Sequence, residues 1–324
     1  MERSHPFIEV SISGRVVHAA FYTRLISATI RDETGQGADT LELVFDDSGN
    51  TIEIPEKGAK IEVRFGFKGT GVWKMGTFIY ETASYSFDDG GERLTLRGKS
   101  AELRADLKEP ISEHFDDATI GDVVEKLAKR HGYKFKVSDE YKTLKLNYTA
   151  RTEQSVTDFL TRLADRYGAL FSIKDEAFLF LARGSLAPLV IHKTDCIEGE
   201  FSVEPRPKYG KTAAGWFDRK KGKTIYEEHD TGLSGPVRRL RTTYPSQKEA
   251  LKAAEAESKR LNRATGNGSI RIAGMPEMMA DTPIVAIGFR AEFDGEWRAG
   301  AVEHRYDDTY TTSVQLEANE KGKK

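Results

Sequence analysis

The feature that most restricts what this chain can become is an internal repeat. Residues 118–141, ATIGDVVEKLAKRHGYKFKVSDEY, align without a gap to residues 154–177, QSVTDFLTRLADRYGALFSIKDEA. Eight of the 24 positions are identical: Asp122/Asp158, Leu127/Leu163, Ala128/Ala164, Arg130/Arg166, Gly132/Gly168, Phe135/Phe171, Asp139/Asp175 and Glu140/Glu176. Unrelated segments of ordinary composition would share about one or two. In the first copy Ile120, Val123, Val124, Leu127 and Ala128 recur at helical spacing. Thr119 can cap the helix with Asp122 at its third position, and Gly132 can end it. A short strand, YKFKV, follows. Two copies make a small α/β domain, because a solenoid needs about three repeats. The paired Asp122/Asp158 and Arg130/Arg166 resemble a symmetric charged site. Their places in the first and last helical turns match the helix dipole, which favours acids at the start and bases at the end.

Strand patterns flank this unit. In KIEVRFGF, Ile61, Val63, Phe65 and Phe67 alternate with Lys60, Glu62, Arg64 and Gly66. Two strand-like runs meet at Asp88-Asp89-Gly90-Gly91, and an earlier pair meets around Gly35 and Gly37. A second, looser repeat links the chain ends. Pro55-Glu56, Ala59, Gly66-Phe67, Trp73 and Gly76 recur in the same order as Pro276-Glu277, Ala280, Gly288-Phe289, Trp297 and Gly300. Each copy runs on to an Asp-Asp turn, Asp88-Asp89 or Asp307-Asp308. The expected fold is α+β and mainly β, with two related β-barrel domains flanking a small duplicated α/β domain. The expected boundaries are 1–106, 107–186 and 187–324. A helical insertion near 246–263 is expected in the last domain, with Ser246 as cap and Glu249 at its third position. Its thin apolar stripe predicts a helix at the surface or against a partner.

The search for chemistry returns little. Lys plus Arg is 49 and Asp plus Glu 51, for a net charge of −2, which argues against a dedicated nucleic-acid binder. The one cysteine, Cys196, excludes a disulfide within the chain and fits a reducing compartment. No apolar run reaches the roughly 18 residues of a membrane span, so no stable membrane insertion is expected. No zinc, dinucleotide or Walker motif is present, and Gly-Leu-Ser-Gly-Pro at 232–236 is not a nucleophile elbow. His192 and Cys196 could form a nucleophile pair, but read better as strand residues. Glu227, Glu228, His229 and Asp230 could be half a metal site, but read better as a solvated loop. Asp218 to Lys223 is a basic cluster that reads as a hairpin tip. His304 lies among Glu303, Arg305, Asp307 and Asp308, as a general base might. Yet the related strand carries Tyr80 at that position, so His304 reads as scaffold, on one face with Val302 and Tyr306. The hairpin would run Trp297–Tyr306 outward and Tyr310–Leu316 back. No catalytic, cofactor-binding or metal residue is expected, and no cofactor.

These patterns resemble a known family. TIGDVVEKLAKRHG, then ARTEQSVTDFLTRLADRYGALFSIKDEAFLFLARG, then GMPEMMADTPIVAIGF through WRAGAVEHRYDDTYTTSVQLE, are similar to the late control protein D family of contractile-tailed phages. The N-terminal hub half of type VI secretion spike proteins is similar too. The resemblance covers nearly all of residues 5–318. It implies a structural tail hub, not an enzyme. Three chains would form a homotrimer with six barrels in a pseudo-sixfold ring, a symmetry adaptor joining the hexameric tail tube to the trimeric spike. Tail tube and other baseplate proteins would be partners. Because EANEKGKK carries no β-helical needle, the spike is expected to be a separate chain. The protein would be in the host bacterial cytoplasm during assembly and then in the tail baseplate of a virion or tail-like particle. Two other readings stay open: a cell-wall-degrading tail-tip enzyme, needing paired carboxylates in a cleft, and a peptidoglycan-binding module.

Overall fold

The computed structural model describes residues 5–34, 38–100, 105–174, 176–203 and 209–322. The expected turn at Gly35 and Gly37, and the repeat position Asp175, lie outside the described residues. The chain is mainly β. Its first region holds β1 (Pro6–Ile12), β2 (Arg15–Val16), α1 (Ala19–Arg24), β3 (Leu25–Glu33), β4 (Thr40–Asp46), β5 (Lys60–Phe67), β6 (Gly71–Asp88) and β7 (Gly91–Lys99). The strands lie in the order β2-β1-β5-β6-β7-β4-β3. Ile61, Val63, Phe65 and Phe67 are buried, as their alternation predicts, among Val10, Leu43, Phe45 and Leu96. Each such side chain contributes about 1.5–3 kcal/mol on leaving water. The β6–β7 hairpin closes where expected, with Asp88 opposite Gly91 and the Asp88 carboxylate accepting from Gly90 N at 2.7 Å.

The middle region holds α2 (Ala105–Lys108), β8 (Ile111–Thr119), α3 (Ile120–Arg130), β9 (Lys134–Val137), α4 (Asp139–Lys142), β10 (Lys145–Gln154), α5 (Val156–Tyr167), β11 (Ala169–Lys174) and β12 (Ala177–Ala182). At the start of α3 the Thr119 hydroxyl accepts from Asp122 N at 3.1 Å, and the Asp122 carboxylate accepts from Thr119 N at 2.9 Å. At α5, Ser155 accepts from Asp158 N at 3.0 Å. Gly168 ends α5 at φ +72°, a left-handed conformation that costs glycine little. A strand precedes each helix, and these two, β8 and β10, pair antiparallel. Nothing in the sequence reading anticipated them. The strands after the helices flank β12, with β9 parallel and β11 antiparallel to it. Val124, Leu127, Phe159, Leu163, Phe178 and Phe180 form the core between helices and sheet.

The last region holds β13 (Leu189–His192), β14 (Cys196–Val203), β15 (Lys211–Asp218), β16 (Lys223–Asp230), β17 (Val237–Tyr244), α6 (Gln247–Arg263), β18 (Gly266–Ala273), β19 (Pro283–Ile287), β20 (Gly295–Tyr306) and β21 (Tyr310–Ala318). It refines three expectations. Among the described residues, no strand pairing closes either of the two expected barrels. The second half of β20 pairs antiparallel with β3, from Ala301 opposite Glu33 to Tyr306 opposite Ala28, so both regions share one sheet. The helical insertion near 246–263 is the last part of a larger excursion. Strands β14 and β18 pair directly, and β15, β16, β17 and α6 between them form a separate sheet with its own helix. That helix lies at the surface as expected, with Gln247, Lys248, Leu251 and Arg260 exposed, but its other face is buried. Ala250, Ala253 and Ala254 are buried against β15 and Tyr244. Alanine lets the backbones approach closely, so the Thr212 hydroxyl reaches the Ala254 carbonyl at 2.6 Å.

Candidate functional site

His304 sits where the hairpin was expected, with β20 and β21 closing at Tyr306 opposite Tyr310. Val302 and His304 share the inward face, and His304 is 2% exposed. Its Nε2 lies 3.0 Å from the Met278 carbonyl. A carbonyl only accepts, so Nε2 carries the proton and Nδ1 is the acceptor. Nδ1 faces the Tyr310 hydroxyl at 2.9 Å and the Thr312 hydroxyl at 3.2 Å. Burial lowers the imidazole pKa from 6.5 to about 4, against the opposing pulls of the Met278 carbonyl and Asp32. The ring is therefore neutral near pH 7, fully bonded and shut off from solvent. It can fasten three segments together, but a substrate cannot reach it.

The other sequence candidates do not converge on a site. Cys196 Sγ lies 3.7 Å from the His192 carbonyl oxygen, and burial followed by Asp195 raises the thiol pKa, opposite to what a nucleophile needs. Glu227, Glu228, His229 and Asp230 lie on strand β16 instead of in a loop. Alternation sends Glu227 and His229 to one face and the other two outward, and Trp216 Nε1 donates to Glu227 at 2.9 Å. Asp218 to Lys223 does form a hairpin tip, with the Asp218 carboxylate accepting from Lys220 N at 2.9 Å. Arg130 meets Glu113 through two 2.8 Å contacts, while Arg166 meets Glu249 at 2.7 Å. The repeated arginines thus serve different partners and form no common site.

Sequence reasoning missed a charged junction between the three regions. Lys174 at the end of β11 contacts Asp32 of β3 at 2.6 Å and Asp39 at 3.2 Å. The second oxygen of Asp32 accepts from Ala280 N at 2.9 Å. One ammonium cannot neutralise two buried carboxylates. Burial raises the Asp39 pKa to about 7 against the pull of Lys174. Burial acts to lower the Lys174 pKa, but Asp32 and Asp39 outweigh it and raise it. A second tie joins the middle and last regions, where Asp281 accepts from Gly184 N at 2.5 Å and contacts Arg298 at 2.7 Å. These residues are far apart in sequence, with no motif to link them. The arrangement can transmit load between regions, and it offers no nucleophile or general base to solvent.

Residues 81–310 match the model of the phage tail baseplate hub family. The chain belongs to that family. The probable baseplate hub protein of Escherichia phage 186 is 27% identical across 96% of this chain and 92% of that protein. A prophage MuSo2 tail protein from Shewanella oneidensis has the same fold, with a TM-score of 0.73 and 16% identity over 98% of this chain and 99% of that one. A component of the E. coli type VI secretion system is also similar, with a TM-score of 0.57 and 14% identity over 93% of this chain and 75% of that one. The hub is a structural component of the tail baseplate and not an enzyme. The cell-wall hydrolase reading is set aside on that ground.

Proposed function

We propose that this hub is a symmetry adaptor. Three copies form a ring, each contributes its two β regions, and the six regions meet the hexameric tail tube while the threefold side holds the spike. In this reading residues 1–106, 107–186 and 187–324 are the working units, no residue serves catalysis, metal or cofactor binding, and assembly takes place in the host bacterial cytoplasm. The observation that carries it is the β3–β20 seam, which holds two β regions side by side in one chain. Each region contains a three-stranded antiparallel meander, β5-β6-β7 and β19-β20-β21. Trp73 and Trp297 lie on the middle strands, and Gly76 and Gly300 lie at or beside an irregularity in the ladder. A closed ring needs like surfaces repeated by rotation, and two similar modules in a trimer supply six. The test is the mass of the hub co-expressed with its spike protein, together with electron microscopy of assembled tails. Three copies and six similar densities against the tube are expected. A stable monomer that binds neither spike nor tube protein refutes the proposal.

A further inference from the structure

A groove of about 590 Å³ runs between α5 and β10 on one side and β17 and α6 on the other. Five arginines line it, Arg162, Arg166, Arg183, Arg260 and Arg263, against two carboxylates, Asp165 and Glu257. Arg166 and Arg260 have partners within the chain, at 2.7 Å to Glu249 and 2.7 Å to Glu257. The others are poorly neutralised. Among the described residues Arg162 donates to neutral oxygens, Ala150 O at 2.8 Å and Gln154 Oε1 at 2.9 Å. Arg263 stands 3.9 Å from Glu317 and 3.7 Å from Glu320. The Arg183 Nε is buried with no hydrogen-bond partner among the described residues. Burial first, then neighbouring Arg183, brings Arg263 down to about 10. Guanidinium groups crowded this way gain from an incoming anion.

A second observation concerns shape. Strand β17 lies at the edge of the sheet ordered β16-β15-β17, and Leu240 and Thr242 to Tyr244 line the groove, beginning where the ladder to β15 bulges between Arg239 and Thr243. An edge strand presents unpaired N–H and C=O groups. This one also carries exposed Arg238, Arg239 and Arg241. Basic residues alone would protect the edge from self-association. The groove beside this strand carries arginines of its own on both walls, Arg162 and Arg166 of α5 facing Arg260 and Arg263 of α6, a combination that edge protection does not require.

We propose that the groove holds an extended acidic segment of another baseplate protein, which adds as a strand to β17 and places alternate carboxylates among the groove arginines. Backbone bonds would supply affinity and the arginine forks would select carboxylates. The segment does not come from a second copy of the chain by its C-terminal run, since EKGKK is itself basic. The acidic Asp88-Asp89 tip is a closed hairpin turn, not an extended strand. A nucleic acid fits less well, because it cannot add to a sheet edge.

The test uses the full chain and a fluorescent peptide alternating Glu and Val, with binding read by anisotropy at low and high salt. Binding that weakens with salt is expected. The double substitution Arg162→Glu/Arg183→Glu should weaken it about tenfold or more. The same peptide N-methylated at alternate residues should not bind the unaltered protein. Circular dichroism checks that the double variant folds, and the N-methylated comparison needs no variant. Equal binding of the N-methylated peptide, tighter binding of a single-stranded oligonucleotide, or no peptide binding at low salt overturns the proposal.

Discussion

Replacing His304 with alanine separates a structural histidine from a chemical one. The change removes a buried ring and strands the Met278 carbonyl and the Tyr310 and Thr312 hydroxyls. A cavity plus unpaired polar groups should cost about 3–5 kcal/mol at pH 7.5. The pH dependence is more telling. The imidazole pKa is depressed from 6.5 to about 4 in the fold. Between those values the unfolded chain binds a proton that the fold refuses, so the wild type loses stability as pH falls. By pH 5 this linkage amounts to about 2 kcal/mol, and the alanine variant lacks it. The gap between the two proteins should therefore shrink by about that amount from pH 7.5 to pH 5. Any proton linkage at Asp39 is present in both proteins and cancels. Urea denaturation read by tryptophan fluorescence is suitable, because Trp297 lies buried on the same strand. A gap that stays constant or widens on acidification, or a variant as stable as the wild type, refutes the buried neutral role.

Three further outcomes follow from the packing. Asp39 has a raised pKa of about 7, so its proton stabilises the fold below about pH 4, and that stability is lost as pH rises through 7. Asp39→Asn mimics the protonated form and should be more stable than the wild type by about 4 kcal/mol at pH 8, narrowing to about half a kcal/mol at pH 4, in paired urea titrations. Glu249→Gln leaves Arg166 without its buried carboxylate and should cost about 3–5 kcal/mol, seen as a lower melting temperature. Gly121→Ala places a Cβ 2.6 Å from the Lys142 carbonyl oxygen. Helix α3 must shift away from α4, a strain of about 1–3 kcal/mol that differential scanning calorimetry would detect.

Local signals in the sequence were legible wherever one residue's chemistry decided the outcome. Thr119 caps its helix, Ile61 to Phe67 alternate into a core, and the β6–β7 and β20–β21 hairpins close where expected. Strands β8 and β10 escaped notice because ISEHFDDAT and KLNYTARTEQ carry polar residues on both faces and lack a clean alternation. Strand β16 was mistaken for a loop for the same reason, being a half-exposed edge rich in Glu and Asp. Helix α6 looked peripheral because its buried face is alanine, which carries little hydrophobic signal but packs closely. The β3–β20 seam and the Asp32–Lys174–Asp39 junction depend on which distant segments meet, and no periodicity encodes that. His304 reads as scaffold from its alignment with Tyr80, and its 2% exposure and its bonds to Met278 and Tyr310 depend on contacts that alignment does not carry.

The β3–β20 seam also sets a timetable for making the protein. Strand β3 ends at Glu33, and the partner that covers its edge is not complete until Tyr306. At an ordinary ribosomal pace of about 5–20 residues per second, that edge waits on the order of tens of seconds for its cover. The first β region must therefore persist on the ribosome as an unfinished sheet with an open flank, a state prone to mispairing with neighbouring nascent chains. Pairings this distant along the chain also slow folding after release. A truncation before residue 301 would thus leave the β3 edge without its partner, a sticky half-sheet in place of a smaller hub.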